Sequence, residues 1–108
     1  MKRYVCNVFT IAMAPAGGRL DYTPITTAAA RALLDSAVYE SAVGHEQTAQ
    51  IASAELGIPV AFARVSVRLE PGDNLVLCQY VGPRLPEGVT TLPPGAEIRW
   101  YHAVYTRP

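Results

Sequence analysis

Three short stretches of this chain carry side chains whose type and spacing suit chemistry. The first is ESAVGHEQTAQIASAELG, residues 40–57, in which Gly44 punctuates and His45 opens a helical pattern. A histidine at a strand-to-helix turn sits where backbone N–H groups point outward unpaired, so an anion can dock beside a titratable proton donor. The second is RVSVRLE, residues 64–70, which puts Arg64, Ser66, Arg68 and Glu70 on one face of an alternating run. The third is GPRLPEG, residues 82–88, where two prolines and two glycines shape a loop holding Arg84 and Glu87 three residues apart. Arginine grips phosphate in a bidentate fork, and a carboxylate beside it orients a hydroxyl.

Each stretch also has a structural reading. A histidine at a helix entrance is more often packed and satisfied than catalytic. The alternating arginines read as a solvated face, the preferred reading for Arg68. Arg84 and Glu87 read equally as a surface ion pair, worth little energetically. Asn7 and Thr10 are polar interruptions near the amino terminus and read as local hydrogen-bonders. His102, inside a strand pattern, reads as a packed or surface histidine.

The elements that must position these groups follow from periodicity and punctuation. Residues 3–11, RYVCNVFTI, are β-branched and aromatic and predict a central strand. Residues 12–24 carry Pro15, Gly17, Gly18 and Pro24 and predict a loop, in which Arg19 reads as solvated. Thr26 or Thr27 is a good N-cap for TAAARALLDSA, a structural helix. Residues 39–43 predict a short strand, and the helix from His45 ends at Gly57 with Pro59 forbidding continuation. Residues 59–70 alternate as a strand, Pro71-Gly72-Asp73 turns, and residues 74–81 return as the second arm of a hairpin. After a Pro-rich connector at 90–95, residues 97–105 form a last strand bearing Trp100, Tyr101 and Tyr105. The expected fold is α/β, a mixed sheet of about five strands flanked by helices, in a single domain over residues 1–108.

Composition bounds the function. Half of the 108 residues are hydrophobic and 17% are charged, which argues for a folded globule. Nine basic against nine acidic residues give zero formal charge, so coating of long nucleic acid is not expected. A small anion needs only a local cluster, and eight of the nine basic residues are arginine. Cys6 and Cys78 fall in apolar strand-like runs and read as buried thiols without metal-ligand spacing. No membrane-length run or cleavage site occurs, so the expected location is cytoplasmic, with no membrane partner.

Residues 41–57, the segment RVSVRLEPGD at 64–73, the loop RLPEG at 84–88 and Asn7-Val8-Phe9-Thr10 together resemble the viral ring nucleases, anti-CRISPR proteins that act against type III systems. The resemblance implies a homodimer, without metal or cofactor, that binds cyclic tetra-adenylate across its twofold axis. The implied reaction yields linear di-adenylate with a 2′,3′-cyclic phosphate and shuts off the defence signal. It implies His45 as general acid with Glu87 as its catalytic companion. Gly44, Arg64 and Arg84 then bind the ligand, with Thr10 in place of the family serine. A second departure is LPPGA at residues 92–96, where relatives carry a short acidic helix. Competing expectations are a dimer that sequesters a cyclic oligonucleotide without cutting it, a DNA-binding accessory protein, and activity on a different ring size.

Overall fold

The computed structural model describes all of residues 1–108 and contains one five-stranded mixed sheet with two helices packed on it. The strands are β1 (Arg3–Cys6), β2 (Arg19–Ile25), β3 (Glu40–Ala42), β4 (Asn74–Val81) and β5 (Glu97–Thr106), in the order β2-β5-β4-β1-β3. β1 pairs in parallel with both β3 and β4, while β5 runs antiparallel to β4 and β2. The helices are α1 (Thr27–Asp35) and α2 (Glu46–Leu56). The α/β fold and the mixed sheet thus match the expectation. No helix is long and apolar enough to cross a membrane.

Side-chain alternation assigns each strand residue to one of two cores. Val5, Val76, Cys78 and Trp100 face the helices and pack with Ala30, Leu34, Ala49, Ala52 and Leu56. Tyr4, Cys6, Leu75, Ala103 and Tyr105 face the other way, against Met13, Val67 and Leu69. The helices are set by their ends. Thr26 accepts from the Ala29 amide at 3.0 Å, and Gly57 closes α2 at φ 73°, a left-handed conformation suited to glycine.

Three expectations fail here. Residues 19–25 are a strand, not part of a loop, and pair with β5 from Arg19↔Thr106 to Ile25↔Trp100. β2 lies at the sheet edge, where Pro24 has no second ladder to serve. Gly18 feeds it at φ 128°, with Thr106 O only 2.5 Å from where a Cβ would stand, so the glycine marks a close approach to β5. Conversely, residues 59–70 form no strand and no hairpin with β4, whose neighbours are β1 and β5. The segment's β-pairing is a single parallel bridge, Val43↔Phe62, with Ala63 N–H donating to Val43 O at 2.9 Å, and the Ser41 hydroxyl on β3 donates to Ala61 O at 2.6 Å. It then crosses the face opposite the helices, burying Val67 and Leu69. Alternation there records a chain laid on an apolar surface, which has the same period as a ladder. The turn at Pro71-Gly72 is present, closed by Asp73 N–H to Glu70 O at 2.9 Å. The first strand also ends at Cys6, five residues short of the expected Ile11.

Candidate functional site

The three parallel strands β1, β3 and β4 all end on one side of the sheet. The chain leaves β1 toward the face that Met13 covers, whereas β3 leads into α2 on the opposite face. Two neighbouring strands whose connections part to opposite faces leave a crevice beyond their carboxyl ends, the usual ligand position in open α/β sheets. A cleft of about 680 Å³ opens there, lined by Asn7, Thr10, Gly44, Arg64, Ser66 and Arg68 among others. Asn7 ties its walls together, accepting from Gly44 N–H at 3.2 Å. Thr10 stands before the short 3-10 turn Ile11–Met13 without using its side chain as a cap, so its hydroxyl remains available to the cleft.

His45 is the N-cap of α2. Its Nδ1 accepts from the Thr48 amide at 3.2 Å and lies 3.1 Å from the Thr48 hydroxyl. Accepting from an amide requires an unprotonated Nδ1, which places the single proton of the neutral ring on Nε2. Nε2 has no protein partner. The exposed ring stands between two smaller clefts. One, of about 360 Å³, also contains Gln47, Tyr80 and Arg84. The other, of about 370 Å³, contains Gln47, Gln50 and Glu87.

The six residues singled out from sequence therefore gather at one end of the sheet, in two groups that meet at the Gly44–His45 peptide. Thr10, Gly44 and Arg64 share the large cleft, while His45 separates Arg84 from Glu87. Arg84 and Glu87 form no ion pair. The paired arginines are Arg19 with Asp21, Arg31 with Asp35 and Arg99 with Glu97, all outside these clefts. Arg64 and Arg68 in the large cleft and Arg84 in the first small one have no carboxylate partner. Those two walls therefore carry uncompensated positive charge despite the balanced total, whereas the second small cleft carries the carboxylates Glu46 and Glu87. An anion would meet the charge unscreened by protein.

Gly44 does not have positive φ, and a Cβ built on it would touch only Arg64 Cγ at 3.7 Å, ordinary contact. Neither backbone strain nor protein packing demands glycine there, which leaves close approach of a ligand as a reason for it.

Sequence reasoning missed three contributors. Arg68 lines the large cleft with Arg64, and its shared parity with Arg64 and Ser66 was the available signal. Tyr80 donates to Pro83 O at 2.6 Å and braces the loop before Arg84. Gln47, half-buried on α2, reaches the loop carrying Glu87. His102 is packed as expected, its Nε2 lying 3.2 Å from Asn74 Oδ1. Burial, with the Arg3 guanidinium secondarily, holds its imidazole below the ordinary histidine value. Burial pushes both thiols, Cys6 and Cys78, up to about 12. No group of three His, Cys, Asp or Glu side chains is placed to hold a metal ion. Residues 93–96 form a turn, with Ala96 N–H donating to Pro93 O at 3.1 Å.

No curated protein matches the sequence. Among solved structures, B116 of Sulfolobus turreted icosahedral virus superposes with a TM-score of 0.77 at 21% identity, over 96% of this chain and 99% of that one. The fold is thus shared with a viral protein. Matched by the STIV B116-like family model over residues 3–98, the chain belongs to that family.

Proposed function

We propose that this protein is a metal-independent ring nuclease that cleaves cyclic tetra-adenylate and so silences a type III CRISPR signal. The observation carrying the reading is the gathering of His45, Arg84 and Glu87, with Thr10, Gly44 and Arg64 adjacent, at the carboxyl ends of three parallel strands. The resemblance of three separated segments to the viral ring nucleases supports it from sequence, and the viral source of B116 supports an origin in a virus or mobile element. On this reading the enzyme acts in the cytoplasm.

RNA carries its own nucleophile, so the protein needs to align, neutralise and supply a proton. Glu87 orients the ribose 2′-hydroxyl and takes up its proton as the oxygen attacks the adjacent phosphorus. Arg84 and Arg64 hold the non-bridging oxygens as charge builds. The P–O5′ bond breaks, leaving a 2′,3′-cyclic phosphate on one side and a 5′-hydroxyl on the other, with His45 Nε2 donating toward the departing oxygen. A ring that surrenders a full proton must first be doubly protonated, and such a ring has no Nδ1 lone pair for Thr48. The phosphate favours that charged form and offers the freed helix amides a new acceptor.

A cyclic tetranucleotide has a twofold axis that a homodimer shares, each subunit serving one of two opposite phosphodiesters. The exposed apolar side chains Val8, Ile11, Phe62 and Val65 near the large cleft support a covering partner there. The test is incubation with cyclic tetra-adenylate in EDTA, following products by chromatography. Linear di-adenylate ending in a 2′,3′-cyclic phosphate is expected, and absent cleavage overturns the reading. The turn at residues 93–96 in place of a helix favours one rival, a dimer that sequesters the ring without cutting it. Tight binding without turnover would establish that rival.

A further inference from the structure

We infer that Gln47 is a positioning residue for the reaction proposed above, fastening the loop that carries Arg84 and Glu87 to the helix capped by His45. Its Nε2 donates to Pro86 O at 2.6 Å and to Val89 O at 3.2 Å. Those two carbonyls bracket Glu87 and Gly88, and one amide NH₂ has two hydrogens for two acceptors. Gln47 lies two residues after the cap and lines both small clefts, so it forms part of the wall between Arg84 and Glu87.

The rest of the loop is held by little else. Tyr80 braces it at Pro83, before Arg84, and Val89 N–H closes a turn on Pro86 O at 3.3 Å. The Glu87 end depends on Gln47 for its attachment to α2. A carboxylate that must meet a hydroxyl in line with a scissile bond tolerates little displacement. Misplacement by about 1 Å costs on the order of a hundredfold in rate. The side chain acts through Glu87 and Arg84 and requires no contact with the ligand.

The inference rests on the proposed nuclease reading, and its test keeps the two apart. Gln47→Glu conserves size and places a charge that the helix N-terminus favours, yet cannot donate to carbonyls. Gln47→Ala removes the amide outright. In the full chain, both variants are expected to keep the wild-type circular dichroism while amide exchange across residues 84–90 rises at least about tenfold. Turnover of cyclic tetra-adenylate should fall by roughly tenfold to a hundredfold in kcat, with KM changed by no more than about threefold. Gln47→Glu added to Glu87→Gln should lower kcat by no more than about twofold further, because the two act through one position.

Unchanged exchange in the loop, turnover within about twofold of wild type, or an undiminished loss on the Glu87→Gln background would each overturn the inference. If the wild-type chain cuts no cyclic oligoadenylate, the proposed function fails separately. Loop exchange then decides whether Gln47 holds the loop at all.

Discussion

Replacing His45 with alanine removes a helix cap and a proton donor together, whereas asparagine removes only the donor. The cap is the Nδ1 lone pair, which satisfies the Thr48 amide at 3.2 Å. Losing an N-cap acceptor costs about 1 kcal/mol, within a range of roughly 0.5–2. For a chain of 108 residues, that corresponds to a fall of roughly 4–8 °C in melting temperature. Asparagine is among the strongest N-caps, and its carbonyl oxygen can replace Nδ1. His45→Asn should therefore melt within about 2 °C of wild type, while His45→Ala falls by the full amount. Both should lose on the order of a hundredfold or more in cleavage of cyclic tetra-adenylate, since neither can donate as imidazole does. Differential scanning fluorimetry and single-turnover product analysis on the three proteins provide the comparison. His45→Asn cleaving at more than about a tenth of the wild-type rate would refute the chemical role. Equal melting of all three would refute the cap.

Gly44→Ala should leave thermal stability unchanged or slightly raised, because neither its φ nor its surroundings require glycine. If ligand backbone approaches there, affinity for cyclic tetra-adenylate measured by calorimetry should drop about tenfold, and retained affinity would remove Gly44 from the site. Cys6 and Cys78, buried with thiols near 12, should resist a thiol reagent at pH 7.5 until the chain unfolds, and fast labelling of native protein would contradict their burial. His102 titrates lower folded than unfolded, so the unfolded chain binds its proton more readily. Stability from this residue is therefore full above about pH 6.5 and declines as pH falls from there through the folded value. His102→Gln should flatten the decline of melting temperature between pH 7 and 5, and an unchanged slope would assign that decline to other groups.

The helices and the central strands were legible because their signals are local. Thr26 ahead of an alanine-rich run and Gly57 ahead of Pro59 mark helix ends through chemistry internal to a few residues. β2 was not legible because Gly17 and Gly18 precede it and Pro24 interrupts it, and a proline's compatibility with a strand depends on lying at a sheet edge. Residues 59–70 misled for the complementary reason. Val67 and Leu69 alternate with Ser66, Arg68 and Glu70 because one side of the segment is buried, and burial alone does not say whether a neighbouring strand pairs with it. The consequence was a hairpin assigned to β4, which the parallel β1 occupies.

The same distinction explains which site residues were readable. His45, Arg84 and Glu87 announce themselves by type, and Gly44 by its place before a helix. What they do together depends on strand order, since β1, β3 and β4 are far apart in sequence and adjacent only in the sheet. Gln47 shows the limit most clearly. On a helical wheel it faces away from the core, which sequence reads as solvent. That outward face meets the loop following β4, because β1 alone separates β3 from β4 and both chains emerge on the same side. An outward residue next to a strand's carboxyl end is thus outward only relative to the core and not relative to the loops that gather there. Arg68 follows the same rule, exposed on its segment and yet a wall of the cleft. In a sheet of this kind, the polar side chains nearest the ends of parallel strands are the ones for which a solvated reading is least secure.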